Sequence, residues 1–434
     1  MKAFVRLWMP RLKSDLMSNQ TLLTNAGFLT VAAGASALMG FLFWLWTARI
    51  LPPERQGLAA ATISAMNLLA FCGEFSLGTL LMGRPNSGKG TRGIIAAAIL
   101  CSVLTSLAAG GIFIGCSGWL SPQVQSMLST HSVVFLTGVV ATAIAMTADG
   151  AAIGLLASWA RMVREIVFSL LRLFLLFLVL SYSSEPRASA IVAVWIAALV
   201  ASLCCTLGYA VYRRHLLAWP DFSGLKTYAA DILGHHILNL GALGPSIALP
   251  FLVTVVLSPT VNAVFYAAWM LLQAAMLVPA AVGTALFATS SADPDTAAQR
   301  LRFSLGLSAV FGILGGLACY FFLKPMLGFF NPEYPEIAGA GLDWLGFSLL
   351  PIMIKYHYIA VMRLQRRMTA AAFIMFAGAL VEVVAVIVGG LNGGLLGLTV
   401  LWMVAVALQA LIQLPAIITA AGWTLRFGPP VTQS

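Results

Sequence analysis

Charge is scarce in this sequence. Only 9% of its 434 residues are Asp, Glu, Lys or Arg, against about 25% in an ordinary water-soluble chain, while 60% are hydrophobic. So few polar side chains cannot cover a soluble surface of this size, and lipid has to replace water around most of the chain. Cysteine is also sparse in a telling way. The six (Cys72, Cys101, Cys116, Cys204, Cys205 and Cys319) all fall inside apolar runs, and no C-x-x-C pair occurs. They read as small buried hydrophobes, which excludes a disulfide framework and a zinc site. No short signal-peptide core is present either: the first apolar run, from Asn25 to Ile50, is too long for one. Residues 1–20, with Lys2, Arg6, Arg11 and Lys13 among Phe4, Leu7, Trp8 and Leu12, read as a basic amphipathic segment on the cytoplasmic surface ahead of a retained first helix.

What is present is a succession of apolar runs, each roughly twenty residues or longer. They predict twelve spans, at about 25–50, 57–82, 93–117, 131–157, 165–181, 188–212, 228–257, 261–289, 303–323, 341–362, 369–391 and 394–421. The net charge of +10 would suggest nucleic acid in a soluble protein, but here the positions of the bases decide otherwise. With the N-terminus placed inside, 18 of the 24 Lys and Arg lie in cytoplasmic segments. Four (Arg49, Arg55, Arg187 and Lys324) lie outside, and Arg172 and Lys355 lie within spans. That asymmetry is the topology signal of a multi-pass membrane protein with both termini cytoplasmic, and it leaves no face for nucleic acid.

The chain repeats itself weakly. Leu51-Pro52-Pro53, a helix, then Gly78-Thr79-Leu80-Leu81 is followed 205–206 residues later by Leu257-Ser258-Pro259, a helix, then Gly283-Thr284-Ala285-Leu286. Six spans per half give both halves the same orientation, so the repeat is parallel, as in many secondary transporters with a substrate site between their halves. The expected organisation is the cytoplasmic segment 1–20, a six-helix lobe over 21–212, an inter-lobe loop over 213–227 and a second six-helix lobe over 228–425.

The segments Asn25-Ala26-Gly27-Phe28, Ala48-Arg49-Ile50-Leu51-Pro52-Pro53-Glu54-Arg55-Gln56-Gly57 and Val261-Asn262-Ala263-Val264-Phe265-Tyr266-Ala267-Ala268-Trp269, with Pro279 beyond, carry a resemblance. The pattern resembles the polysaccharide-transporter, Wzx-type flippase branch of the multidrug/oligosaccharidyl-lipid/polysaccharide exporter superfamily. The resemblance implies an all-α, MATE-like fold of two six-helix lobes in a V shape. It also implies alternating access in a bacterial inner membrane, and export of a lipid-linked sugar, usually undecaprenyl pyrophosphate-linked. Partners would be that glycan lipid, membrane lipids and other polysaccharide-assembly proteins. No cofactor or metal is expected, and transport is open to proton or sodium coupling. The first span has no acidic residue where many multidrug members carry one, which disfavours the rival reading of a cation-coupled multidrug exporter.

Enzyme readings fare worse. Gly83-Arg84-Pro85-Asn86-Ser87-Gly88-Lys89-Gly90 lacks the strand and the Gly-Lys-Ser/Thr order of a phosphate loop. A membrane-embedded glycosyltransferase or ligase should show large external loops with catalytic bases. The longest external gaps, about 118–130 and 324–340, are short and hold Lys324 alone as a base.

Ionisable groups within spans are costly and tend to face a cavity or a partner. Glu74, Asp149 and Arg172 each lie about eight residues from the cytoplasmic end of a span, which is ~12 Å at 1.5 Å per residue. Equal depth predicts one cluster, with Arg172 paired to Glu74 or Asp149. In the second half Asp231, His235 and Asn239 share a helical face at i, i+4 and i+8, with His236 beside them. Lys355 and Glu382 fall within later spans, Lys355 with no acid inside a helical turn of it. A pyrophosphate needs cations and donors at its depth. The candidate substrate contacts are therefore Lys355, His235, His236, Arg49, Arg172 and Asn239, and the candidate coupling network is Glu74, Asp149, Asp231 and Glu382.

Overall fold

The computed structural model describes residues 20–83, 90–119, 122–183, 186–212, 218–292, 296–365 and 367–422. The basic segment read over 1–20, the turn around Ser87, Arg213 and Arg214 lie outside them, apart from Gln20. The described residues form helices and no strand. These are α1 (Gln20–Ile50), α2 (Pro53–Glu74), α3 (Leu77–Met82), α4 (Gly90–Cys116), α5 (Pro122–Gly154), α6 (Ser158–Tyr182) and α7 (Ala188–Tyr212), followed by the short α8 (Phe222–Lys226). Then come α9 (Ala229–Val256), α10 (Pro259–Ala292), α11 (Ala297–Phe330), the short α12 (Tyr334–Ala338), α13 (Leu349–Leu364) and α14 (Met368–Ala420).

Nine helices among the described residues are long and apolar enough to cross a membrane. The last, α14, has 53 residues and would be about 80 Å long if straight, far beyond one bilayer. It breaks at Gly393 and Gly394, where Gly394 takes φ 58, and so supplies two spans. The α6 and α10 helices, of 25 and 34 residues, lie over the other two of the twelve expected spans. Gly394 is the residue that lets the backbone enter the left-handed region without a Cβ penalty. Proline opens both repeat-related helices, Pro53 in α2 and Pro259 in α10, at the first position, where a missing N–H is harmless.

Two compact units emerge, and they do not follow the chain-order halves. One comprises residues 1–45 and 66–235, the other 46–65 and 236–434. In the first unit α4 packs along α5, α6 along α7, and α3 against α5. The α3–α5 approach is backbone to backbone: a Cβ on Gly150 would run into the Gly78 carbonyl, and one on Gly154 into the Leu81 carbonyl. Such small-residue contacts suit helices in lipid, where close packing rather than water exclusion drives association. The loop before α8 docks on the start of α4 through Asp221 N–H donating to the Gly93 carbonyl at 2.9 Å.

In the second unit α10, α11 and α13 pack together and α13 lies along α14. The segment 46–65 is held by buried polar bonds. Asn262 Nδ2 donates to the Gly57 carbonyl at 3.0 Å, Asn331 Nδ2 to the Ala48 carbonyl at 2.9 Å, and the Tyr334 hydroxyl to Gln56 Oε1.

Candidate functional site

In the first unit the ionisable groups do come together, but not as depth alone predicts. Arg172, on α6, is 3% exposed. Its guanidinium sits over three rings, with its carbon 4.8 Å from the centroid of Phe168, 4.9 Å from Trp195 and 5.7 Å from Phe43. Nη2 donates to the Ser36 carbonyl at 3.3 Å. Gly40 on α1 leaves the room, since a Cβ there would stand 3.2 Å from Nη2. The expected pairing of Arg172 with Glu74 or Asp149 is not formed. Asp149 instead takes Arg164 in a two-pronged contact, Nε to Oδ1 at 2.8 Å and Nη2 to Oδ2 at 2.6 Å, with Arg161 Nε 3.5 Å from Oδ2. The choice of partner has a simple cause. Arg164 stands in the first turns of α6, just across the tight α5–α6 connection from Asp149, and a local partner closes with less lost entropy than a distant one.

By sequence Arg164 is one of the 18 bases of the cytoplasmic segments, yet it is 5% exposed. It extends the network by donating from Nη2 to Glu165 Oε1 at 2.7 Å, and Glu165 Oε2 accepts from Ser36 Oγ at 3.2 Å. Through Ser36 the chain Asp149–Arg164–Glu165 therefore reaches Arg172. Spacing gave no hint of Glu165 and Ser36. Their signal was only that a buried arginine needs more than one acceptor.

Glu74 stands apart from this network. It ends α2, is buried, and accepts from the Gly78 N–H at the start of α3. Between the two helices Phe75 and Ser76 take φ 55 and 56, left-handed values that are uncommon for residues other than glycine.

The second unit holds the other candidate site. Lys355 on α13 is 7% exposed and Glu382 on the first arm of α14 is 2% exposed. Lys355 Nζ donates to Glu382 Oε1 at 2.5 Å, and Trp402 Nε1, from the second arm of α14, donates to Oε2 at 3.0 Å. Lys355, which has no acid within a turn of its own helix, is thus neutralised across helices. A cavity of about 30 Å³ adjoins the pair, with Ala242 and Ser246 of α9, Tyr356, Ile359 and Trp402 in its wall. It takes no lining from His235, His236 or Asn239. His236 is buried, His235 and Asn239 are half-buried, and Asp231 is exposed in the first turn of α9. Beside Lys355, His357 is fully enclosed, with Nε2 2.7 Å from Ser304 Oγ and Nδ1 2.8 Å from the Met353 carbonyl. It serves helix packing.

Arg49 is exposed and reaches the end of α11. Nε and Nη2 donate to the Phe329 carbonyl at 3.1 and 2.9 Å, and its guanidinium lies 4.4 Å from the Phe329 ring centroid. A cation on terminal carbonyls stabilises a helix C-terminus. No group of His, Cys, Asp and Glu that could hold a metal ion occurs among the described residues.

No protein family and no curated protein matches this sequence. Solved structures do match. An inward-facing multidrug-resistance MATE family transporter of the MOP superfamily superposes with a TM-score of 0.71 at 13% identity, covering 89% of this chain and 95% of its own. The lipid II flippase MurJ, in an inward closed conformation, gives 0.64 at 15% identity, covering 90% of this chain and 89% of its own. A mutant of the Vibrio cholerae MATE transporter VcmN gives 0.60 at 14%, covering 94% and 99%. The chain is similar to these proteins in fold over nearly its whole length.

Proposed function

We propose that this chain moves a lipid-linked oligosaccharide, or a polysaccharide precursor, across a bacterial cytoplasmic membrane by alternating access, with both termini cytoplasmic. The observation that carries the reading is the fold shared with the lipid II flippase MurJ over 90% of the chain. The residues of this chain agree with it. The first span holds no acid with which to attract a cationic drug, and the α6 and α13 spans each bury a base, Arg172 and Lys355. Buried bases are the groups an anionic pyrophosphate would meet inside a low-dielectric site. In this reading the intramembrane acids Glu74, Asp149 and Glu382 serve charge balance and coupling. Arg49 and the His235, His236 and Asn239 face do not line the described cavity, and in this reading they contribute at the membrane interfaces.

A second reading, a cation-coupled multidrug exporter, rests on the multidrug-resistance MATE transporter of TM-score 0.71. Reconstitution separates the two. Proteoliposomes carrying the full chain should translocate a fluorescent undecaprenyl pyrophosphate-linked glycan and leave ethidium gradients unchanged. Ethidium export without glycan translocation would replace the first reading by the second. Sugar transfer onto an acceptor would overturn both in favour of an enzyme.

A further inference from the structure

The break between α2 and α3 is built from groups that all have a second place to go. In an unbroken helix the N–H of residue 77 would donate to the Gly73 carbonyl and that of Gly78 to the Glu74 carbonyl. Here the Gly78 N–H is taken by the Glu74 side chain. The Gly73 carbonyl is taken by the hydroxyl of Thr105 on α4. That hydroxyl also lies 2.6 Å from the carbonyl of Cys101 on its own helix, the bond a helical threonine makes when it has no other acceptor. Two side chains therefore replace two missing rungs of the backbone ladder.

The segment also has an internal control. At the repeat offset of 205, Pro279, Ala280 and Ala281 stand at the places of Glu74, Phe75 and Ser76, ahead of Gly283 in the place of Gly78. There α10 runs unbroken from Pro259 to Ala292. The related stretch is thus a continuous helix, and it has no carboxylate. In the first repeat two consecutive non-glycine residues are held in the left-handed region instead, which persists only where the surroundings over-determine it.

We propose that Glu74 is a proton-binding site, and that its charge decides whether α2 and α3 are broken at Phe75–Ser76 or joined as one helix. The carboxylate makes a charge-assisted bond to the Gly78 amide that offsets the backbone strain. On protonation the group becomes a weaker acceptor and the strain loses its compensation. The Gly78 N–H then returns to the backbone ladder and the Thr105 hydroxyl returns to Cys101.

The elements packed around the break bring few titratable groups. Cys72 lies on the same helix, Cys101 on α4, Asp149 on α5, and Tyr228 packs on the apolar cluster that contains Leu77 and Leu80. The Asp149 charge is already taken by Arg164 and Arg161. The inference is independent of which substrate the chain carries.

Hydrogen exchange of the full chain in lipid nanodiscs, followed across residues 73–82 and corrected for the intrinsic pH dependence of exchange, tests it. The parent should become more protected as pH falls, with a single midpoint. Glu74→Gln should hold the protected pattern at every pH. Ser76→Gly removes the left-handed penalty and keeps the acid. It favours the broken, deprotonated form, so its midpoint should move down by roughly one pH unit, the size of a tenfold bias. A parent without a pH-linked change in this segment, a Gln variant with the parent's midpoint, or a Gly variant whose midpoint stays put overturns the proposal. If the Gln variant does not fold, the Gly variant decides alone.

Discussion

Replacing Lys355 by Gln tests the second-unit site most directly, because the structure alters what that substitution means. A cation waiting for substrate could be lost with little effect on stability. In the structure Lys355 is the counter-charge of Glu382, at 2.5 Å and with both residues buried. Lys355→Gln leaves a carboxylate in a low-dielectric interior with Trp402 Nε1 as its remaining donor. Orphaning one member of a buried pair typically costs about 3–5 kcal/mol. The adjoining cavity of about 30 Å³ has room for roughly one water, which could solvate the stranded carboxylate, so the upper figure is a ceiling. Glu382→Gln should cost a similar amount by stranding the ammonium. The pair Lys355→Gln with Glu382→Gln removes both charges and should recover most of the loss, since replacing a buried pair by neutral groups is often close to neutral. Reversible unfolding of the four proteins in mixed micelles gives the double-mutant cycle, with an expected coupling at least as large as one single penalty, about 3–5 kcal/mol. Additive single effects, or a Lys355→Gln protein as stable as the parent, would refute the reasoning. Transport measured on Lys355→Gln alone cannot be assigned to a substrate contact, whereas transport by the stable double variant can.

Arg172→Gln should lower the melting temperature by removing a desolvated cation from three ring faces, worth about 2 kcal/mol or more. Adding Glu74→Gln should restore nothing, and rescue by that second change would show that the two groups do interact. The Asp221 carboxylate, outside the spans, is held below the ordinary carboxylate range by the Gly224 N–H and the Ser223 hydroxyl. Its capping contribution is therefore present above the unfolded carboxylate pKa and lost as pH falls through the lower folded value. Exchange at residues 222–226 should rise in Asp221→Asn at neutral pH and match the parent's below that value. Cysteines introduced at Ser87 and Ser126 should react with an impermeant thiol reagent from opposite sides of the membrane, and labelling from one side would overturn the assignment of both termini to the cytoplasm.

The spans were legible because each is a long apolar run, and that is a one-dimensional property. The run 369–391 and its neighbour 394–421 meet at the same glycines where α14 breaks. The run 57–82 showed no sign of the interruption at Phe75–Ser76, because neither residue breaks helices by composition. It takes the Glu74 side chain, the Thr105 hydroxyl and the backbone contact of Gly78 with α5 to hold it. The candidate charges were legible as a set, since an ionisable residue in an apolar run is visible by contrast. Their partners were not. Arg164 looked like a loop base because it lies near the start of its helix, and Trp402 looked like one apolar residue among many.

The amino-acid sequence alone determined where the long apolar helices lie and which residues carry charge inside them. Both follow from local composition, because lipid demands an apolar segment of a set length and makes every exception conspicuous. Only the tertiary structure decided who neutralises whom. Depth along a helix says nothing about the direction a side chain takes around it, so Arg172 and Asp149 at one depth found different neighbours. A low-dielectric interior requires each buried charge to meet a partner, and the packing of separate helices selects which one.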